Sequence, residues 1–479
     1  MRFLPPEPLS PPPPAVDASR GFGPACWQAT TQSLGPRSHN VTVSEDCLHL
    51  NVFRPRPRPA SPRRPLRVVV FVHGGAFVNG DASLYPGGTL AALEDIIVVT
   101  IQYRLNLFGF FALDPMDEPN LGLRDQQEAL RWVQANIEHF GGDPGDVSLW
   151  GQSAGGMSTV LHLLLPSSAP LFRGVLADSP GPWRLETRGA LEAYSNALAV
   201  ARGCEQAESG ERRRCLQELP ADELYDPGFL NALPTVFNPA ISDSSGELPA
   251  QPLKLLQDGA FNAGKTVLIG HNEFEGNLGA YSFTASLPEE DAVDEQAYRA
   301  LSASTSAGTG ARLRDILDAY EGVEEAEGGW VGYAKQGGDA FIACGAALGA
   351  RAIQDAGISR GDVKSYLFAH HAANSELPSL NATHTSELGW LFGDLLSYWQ
   401  IEVLTGGVAS DEEEEMGEWM RGEWMGRGGG EWGGLSEGVM RIDGGKRGMV
   451  GEDDEAWKSV ACTQLWESTL ADNDDGTKE

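Results

Sequence analysis

A serine between two glycines is the residue of this sequence best suited to act as a nucleophile. Ser153 lies in the run Gly151-Gln-Ser-Ala-Gly155, between the apolar stretch 147–150 and a helical pattern over 154–165. A strand that turns directly into a helix needs glycine wherever neighbouring backbone presses on it, and the turn exposes the hydroxyl at its apex. The pattern therefore predicts a nucleophilic serine, with an ordinary loop serine as the alternative.

A nucleophilic serine needs a base to take its proton and an acid to orient that base. In sheets of this kind the chain order is serine, acid, histidine, on loops that follow later strands. His162 lies in the helix after the serine, and His271 shares a loop with the candidate acids, so neither is favoured. The spacing does not choose among the remaining candidates, which are His370, His371 and His384 as base and Asp178, Glu273 and Glu275 as acid.

A second glycine-containing turn could stabilise negative charge. The apolar run 68–72 enters His73-Gly-Gly-Ala-Phe77, where small residues leave backbone N–H groups free in a loop. Such donors suit a developing oxyanion. A tight turn without chemistry is the alternative.

Short apolar runs alternate with helical patterns and must position these residues. Strands are predicted near 48–53, 67–72, 96–102, 147–150, 174–178, 266–270 and 365–369, and a helix is predicted over 122–140. This alternation predicts an α/β protein whose mostly parallel central sheet is covered by helices on both faces.

The composition excludes several classes of function. The 479-residue chain has a formal net charge of −32, which disfavours binding to nucleic acid or to an anionic membrane surface. No run of 18 apolar residues predicts a transmembrane segment, and the first residues do not resemble a signal peptide. None of the six cysteines forms a C-x-x-C pair, so we expect no structural zinc site.

Residues 403–438 differ from the rest of the chain. They contain an acidic run at 411–415 and three Gly-Glu-Trp triplets that end at Trp419, Trp424 and Trp432. We expect a flexible, low-complexity surface insertion that packs no core, with a tryptophan-based binding patch as the alternative. The Pro-rich start and the Arg/Pro run after residue 53 are expected to be surface segments.

Six motifs occur in order along nearly the whole chain. They are Ser44-Glu-Asp-Cys-Leu-His-Leu-Asn-Val52, His73-Gly-Gly-Ala-Phe77, Asn120-Leu-Gly-Leu-Arg-Asp-Gln126, Gly151-Gln-Ser-Ala-Gly155, Gly270-His-Asn-Glu-Phe-Glu-Gly276 and Thr383-His-Thr-Ser-Glu-Leu388. Together they resemble the type-B carboxylesterases and lipases, which are relatives of the cholinesterases on the α/β-hydrolase fold.

This resemblance implies a serine carboxylic ester hydrolase that forms an acyl-enzyme. Carried over to this sequence, the catalytic triad is Ser153, Glu275 and His384, and the oxyanion hole consists of the N–H groups of Gly75, Ala76 and Ala154. The implied substrate is a neutral small-molecule or lipid ester, and the chemistry requires no cofactor and no metal. A non-catalytic adhesion or scaffold protein on the same fold is the alternative, although such relatives typically lose one of these side chains.

The resemblance also implies disulfides and secretion. The implied pairs are Cys26–Cys47 and Cys204–Cys215, which are compatible with an oxidising compartment. Asn40-Val-Thr42 is then a glycosylation acceptor. Cys344 and Cys462 are expected to be buried free thiols.

We expect a single α/β-hydrolase domain over residues 1–479 that lacks the N-terminal strands and the signal peptide usual in the family. Choline specificity is disfavoured. The cholinesterases have a glutamate immediately before the serine, where this chain has Gln152. They also have a tryptophan within the first disulfide loop, where this chain has only Trp27, at one end.

Overall fold

The structure is a computed structural model, and this description covers 2–8, 21–34, 37–56, 64–114, 117–205, 208–226, 237–242, 247–284, 293–357, 363–394, 399–426, 432–451, 454, 457, 459 and 461–472. Parts of three predicted segments lie outside these residues: most of the Pro-rich start, the middle of the Arg/Pro run and residues 427–431. The side chain of Asn40 also lies outside the description.

A nine-stranded sheet forms the centre of the molecule. Its strands, numbered here in chain order, are β1 (Leu50–Phe53), β2 (Leu66–Val72), β3 (Ile97–Ile101), β4 (Gly142–Gln152), β5 (Gly174–Asp178), β6 (Thr266–Asn272), β7 (Lys364–Phe368), β8 (Val439–Asp443) and β9 (Lys446–Val450).

The order of the strands across the sheet is β1-β3-β2-β4-β5-β6-β7-β8-β9. Neighbouring strands are parallel, except that β1 pairs antiparallel with β3 and β9 pairs antiparallel with β8. Parallel strands end at the same edge, so the loops that follow β2, β4, β5, β6 and β7 meet there. The mostly parallel sheet predicted from the sequence is confirmed.

Helices cover both faces of the sheet. The α-helices are Gly88–Glu94, Asn106–Gly109, Leu121–Asn136, Ala154–Leu164, Arg188–Ala201, Ser209–Glu218, Ala221–Leu224, Pro252–Gln257, Glu275–Thr284, Glu295–Thr309, Leu313–Glu327, Gly329–Gly338, Cys344–Ala356, Leu388–Phe392, Trp399–Thr405, Asp411–Trp424 and Glu467–Ala471. None of the described helices is both long enough and apolar enough to cross a membrane.

Shorter elements complete the described chain. The 3-10 helices are Ala82–Leu84, Ile137–Phe140, Pro166–Leu171, Pro378–Leu380 and Leu435–Glu437, and the π-helical turns are Asp339–Ala343 and Cys462–Trp466. Three short strand pairs lie outside the central sheet: Ala25–Cys26 with Val43–Ser44, Thr31–Leu34 with Arg37–Asn40, and Glu186–Thr187 with Ala240–Ile241.

The two faces of the sheet belong to two separate hydrophobic clusters. Along β2, Val68 and Val70 lie in the first cluster, whereas Val69 and Phe71 lie in the second. Successive side chains of a strand point to opposite faces, so the two clusters are the cores above and below the sheet. Both sets of side chains are fully buried, which explains why β2 is continuously apolar rather than alternating.

The helix Asp411–Trp424 packs against the second of these cores. Ser410 caps it, since the serine hydroxyl accepts from the backbone N–H of Glu413 while the Glu413 side chain accepts from the backbone N–H of Ser410. Met416, Met420 and Trp424 are buried in the core, and the acidic residues occupy mainly the exposed face. The expectation that residues 403–438 pack no core is therefore wrong for this helix, because its apolar residues recur at helical spacing.

The structure contains three disulfides. Cys26–Cys47 and Cys204–Cys215 are the pairs implied by the family resemblance. Cys344 and Cys462 form the third, so the expectation of free thiols at these positions is wrong. This third bridge spans 118 residues of sequence and fastens the C-terminal segment to the helix Cys344–Ala356, a pairing that sequence spacing does not indicate.

Because Met420 is fully buried, shortening it should destabilise the fold. We expect Met420→Ala to lower the free energy of unfolding by about 2–4 kcal/mol, through lost burial and the cavity it leaves. Glu418→Ala, on the exposed face of the same helix, should change it by less than about 0.5 kcal/mol. Urea denaturation measures both, and equal, negligible effects would show that the helix is not packed on the core.

Candidate active site

Close backbone packing fixes the turn that carries Ser153. The strand β4 ends at Gln152 and the next helix begins at Ala154, so the chain reverses at one residue. A Cβ atom on Gly151 would lie 2.2 Å from the carbonyl oxygen of Gly155, and a Cβ atom on Gly155 would lie 1.9 Å from that of Val72. Both positions therefore require glycine, which is the physical reason for the spacing noted in the sequence.

The backbone of Ser153 adopts a conformation that is costly for a residue with a side chain. Its φ is 59° and its ψ is −124°, a combination that costs on the order of 1–3 kcal/mol and persists only where the surroundings enforce it. The N–H of Ser153 donates to the carbonyl oxygen of Asp178 at 2.9 Å, and Met157 donates to the Ser153 carbonyl at 2.8 Å. The side chain stays partly exposed at the carboxyl edge of the sheet.

Of the candidate acids and bases, Glu275 and His384 are directly hydrogen bonded. Glu275 follows β6 as the first residue of the helix Glu275–Thr284, and His384 lies in the loop before the helix Leu388–Phe392. His384 Nδ1 lies 2.5 Å from Glu275 Oε2. The other carboxylate oxygen, Oε1, accepts from the Ser179 hydroxyl at 2.5 Å and from the Asn272 N–H at 2.6 Å.

These contacts determine the ionisation of Glu275. Burial alone would raise the pKa of its carboxyl, but the charge and hydrogen bond of His384, with help from the Ser179 hydroxyl, lower that pKa below its usual range. An ionised Glu275 keeps the proton on Nδ1 of His384, so the lone pair of a neutral imidazole is at Nε2. That nitrogen is the atom that can accept a proton from a serine hydroxyl.

The lone pair of His384 faces the residue next to the serine. Gln152 Nε2 lies 3.3 Å from His384 Nε2. Within the described residues, no hydrogen bond joins the Ser153 hydroxyl to His384 in this structure. Catalytic hydrogen bonds are often formed only when substrate is bound, so this arrangement is compatible with a resting site.

The remaining candidates have other partners. His370 Nε2 lies 3.0 Å from Glu413 Oε1, and His371 beside it is exposed. Glu273 forms a bidentate ion pair with Arg441 at 2.9 and 3.0 Å.

The two histidines that the sequence argument set aside are buried structural residues. His162 contacts Gln126 and Ser168, each at 2.9 Å. His271 contacts the Trp457 carbonyl at 2.8 Å and stacks on its ring.

The loop after β2 lies directly against the serine. Gly75, Ala76 and Phe77 all have positive φ, with values of 109°, 54° and 62°. A Cβ atom on Gly74 would lie 2.9 Å from the Cβ atom of Ser153. Among the described residues, none accepts a hydrogen bond from the N–H groups of Gly75, Ala76 or Ala154. The three groups predicted to form an oxyanion hole are thus available to a ligand.

Buried polar residues support the site at the turn of Ser153. The sequence did not indicate this role for them. Asp178 accepts from the indoles of Trp150 at 2.6 Å and Trp424 at 3.0 Å, and from the Tyr366 hydroxyl at 3.1 Å. The Asp178 carbonyl holds the N–H of Ser153, so this network anchors the nucleophile turn. The only sequence signal was that Asp178 ends a strand.

Burial determines the charge of this network. It raises the pKa of Asp178 to about 6, although its three hydrogen-bond donors favour the ionised form. Burial, with repulsion from Asp178 and Glu275, also raises the pKa of Glu387 well above its usual range. Asn272 links this second carboxyl to the site, because its Nδ2 donates to Glu387 Oε2 at 2.6 Å.

The site contains a serine hydroxyl at a strand-to-helix turn, an imidazole held by a carboxylate and backbone N–H groups without an intramolecular acceptor among the described residues, which are the kinds of group that acyl transfer requires. In the part of the chain that the structure describes, no cluster of three or more His, Cys, Asp or Glu side chains could hold a metal ion.

Comparison with known proteins agrees with this geometry. The model of the carboxylesterase family matches residues 1–425. A medium-chain fatty acyl-CoA hydrolase precursor from Anas platyrhynchos is 31% identical over 444 residues, which are 88% of this chain and 76% of that protein. Liver carboxylesterase from Sus scrofa is 35% identical over 57% of this chain and 51% of its own length. Acetylcholinesterase from Electrophorus electricus is 38% identical over 58% of this chain and 46% of its own length.

The ionisation of Asp178 gives a prediction about stability. Its folded pKa of about 6 lies above the ordinary value of 3.8, so ionisation disfavours the folded state. The free energy of unfolding of the wild type, measured relative to Asp178→Asn, should be greatest below pH 4. It should fall by about 2.5 kcal/mol as the pH rises from about 4 to 7. Urea denaturation at several pH values measures this difference.

The matched control is Asp95→Asn, at an exposed aspartate that ends the helix Gly88–Glu94. Because this side chain is exposed and not desolvated by folding, the decrease expected for Asp178 should be absent here. A difference between wild type and Asp178→Asn that grows with pH would mean that the network prefers an ionised Asp178, contrary to this prediction.

Proposed function

The chain belongs to the carboxylesterase family, and on that premise we propose that it hydrolyses neutral carboxylic esters through an acyl-enzyme on Ser153. The observation that carries this proposal is the 2.5 Å contact between His384 Nδ1 and Glu275, beside a serine at a strand-to-helix turn. This combination supports the roles proposed for both side chains, because the carboxylate orients the imidazole and the serine hydroxyl is partly exposed.

In the proposed reaction, the Ser153 oxygen attacks the ester carbonyl carbon while His384 Nε2 takes the hydroxyl proton. The carbonyl oxygen becomes negative and accepts hydrogen bonds from the N–H groups of Gly75, Ala76 and Ala154. Glu275 stabilises the imidazolium without taking its proton. When the tetrahedral intermediate collapses, the ester bond breaks and the imidazolium protonates the leaving alcohol.

The second half of the reaction repeats these steps with water. His384 takes a proton from the water as its oxygen attacks the acyl carbon. The imidazolium then returns a proton to Ser153 as the acid leaves. The cycle consumes one water for each ester and needs no cofactor.

We propose a neutral ester, from a small molecule or a lipid, as the substrate class. The chain carries a net charge of −32, which would repel a polyanionic substrate such as an acyl-CoA thioester. The relative from Anas platyrhynchos is named for hydrolysis of such thioesters, so they form the natural comparison. The chain spans about half the length of the relatives from Sus scrofa and Electrophorus electricus.

We also propose that the protein is secreted and folds as one α/β-hydrolase domain. Three disulfides are compatible with an oxidising compartment, because thiols of most cytosolic proteins are kept reduced. Two hydrophobic cores that share one sheet support a single domain. The alternative, an adhesion or scaffold protein on this fold, is not favoured because the serine, acid and histidine are all present.

Substitutions in the triad should separate catalysis from folding. We expect Ser153→Ala and His384→Ala each to reduce kcat for p-nitrophenyl esters by about 10⁴-fold or more, because the triad acts as a unit. Labelling by a fluorophosphonate should disappear in the first variant and fall steeply in the second. Activity toward acyl esters of increasing chain length and toward acyl-CoA should then define the substrate class.

His370→Ala and His371→Ala are the matched controls, since His370 contacts Glu413 and His371 is exposed and stacks on His370. Both should keep near-normal turnover and labelling, with at most a loss of stability. A folded His384→Ala enzyme of normal turnover, together with an inactive but folded His370→Ala, would show that the base is misassigned.

The secretion proposal predicts a disulfide pattern. Protein made in an oxidising compartment and digested without reduction should yield three linked peptide pairs, Cys26–Cys47, Cys204–Cys215 and Cys344–Cys462. Reduction before digestion should separate all three. Mass spectrometry identifies the pairs, and six free thiols in such material would rule out the argument for secretion.

A further inference from the structure

We propose that the side-chain amide of Gln152 is a positioning residue for the base. Its N–H donates to the Nε2 lone pair of His384 and so favours the neutral form of the imidazole. The inference rests on the proposed function, and it concerns an interaction that the proposed mechanism does not itself use. It begins from the 3.3 Å distance between Gln152 Nε2 and His384 Nε2.

The partners of His384 determine which way this hydrogen bond runs. Its Nδ1 lies 2.5 Å from the Glu275 carboxylate, so Nδ1 carries the proton of the neutral ring and Nε2 has a lone pair. An amide nitrogen is a donor only, and it is therefore the end of the Gln152 amide that fits this position. The amide oxygen placed there would instead face a lone pair.

Gln152 is built into the site rather than lying loosely over it. It ends β4 and is 1% exposed. Its Oε1 lies on the side of the oxyanion loop, 3.1 Å from where a Cβ atom on Gly74 would be. The side chain thus extends from that loop to the base, immediately beside Ser153.

The amide of Gln152 affects the two protonation states of His384 differently. A donor to Nε2 stabilises the neutral ring, whereas an imidazolium would present its own N–H to the amide NH₂ group. Gln152 therefore favours the form of His384 that can accept a proton from Ser153. When Ser153 donates to Nε2 instead, the amide has to yield its place.

The other ionisable groups around His384 are unchanged in the variants at residue 152. Glu275 contacts the ring directly. Asp178, Glu387, Tyr366 and His271 interact electrostatically with Glu275 rather than through Gln152. A comparison of variants at residue 152 therefore isolates the effect of its side chain.

The test is the pH dependence of kcat/KM for p-nitrophenyl butyrate, with the pKa of His384 read independently by NMR on histidine-labelled protein. In Gln152→Glu a carboxylate replaces the donor and favours the imidazolium. We expect the acid limb of the profile and the NMR value to rise by about one pH unit or more. At low pH this lowers kcat/KM about 10-fold relative to its plateau.

Gln152→Met removes the donor without adding charge. It should raise the acid limb of the kcat/KM profile and the NMR value for His384 by less than Gln152→Glu does. The matched control is Gln126→Glu, which places a carboxylate beside a different buried histidine, His162, and should leave both readings unchanged. If Gln152→Glu does not fold, Gln152→Met still decides the matter.

An acid limb and a His384 pKa that stay constant in the folded variants at residue 152 would overturn the inference. A wild type without ester turnover or fluorophosphonate labelling would instead count against the proposed function. The NMR titration still tests Gln152 in that case, because it reports on His384 directly.

Discussion

The architecture of the site depends on how closely three backbone segments approach at one turn. The end of β4, the start of the helix Ala154–Leu164 and the end of β2 leave no space for a Cβ atom on Gly151 or Gly155. This contact forces Ser153 into an unfavourable backbone conformation, which is held by the hydrogen bond that its N–H donates to Asp178 on the neighbouring strand. The position of the hydroxyl is thus fixed by packing of the whole sheet rather than by the loop itself.

The second constraint is the cost of burying charge next to that turn. Three carboxyls, on Asp178, Glu275 and Glu387, lie in the protein interior close to the site. Glu275 faces His384 and has a lowered pKa, while burial raises the pKa of the other two. Of these three carboxyls only that of Glu275 contacts His384, whereas those of Asp178 and Glu387 accept hydrogen bonds from other side chains.

The helix Asp411–Trp424 belongs to the same support. Trp424 donates to Asp178, and the Asp178 carbonyl accepts from Ser153, so a segment of low complexity is linked to the nucleophile by two hydrogen bonds. Its composition suggested an insertion without a core because acidic residues and glycine dominate the count. Amino-acid composition does not show that Met416, Met420 and Trp424 lie on one face when the segment is helical.

The sequence by itself determined the features that depend on residues close together in the chain. The alternation of apolar runs and helical patterns predicted the parallel sheet, and Gly151-Gln-Ser-Ala-Gly155 predicted the strand–turn–helix at Ser153, because the steric demand there is local. Spacing along the chain did not determine the features that join distant segments. The pairing of His384 with Glu275, 109 residues apart, was implied only by the family resemblance, and the tertiary structure alone joined Cys344 to Cys462 and placed Gln152 beside His384. Distances between residues on different loops depend on how the sheet orders its strands, and spacing along the chain does not contain that information.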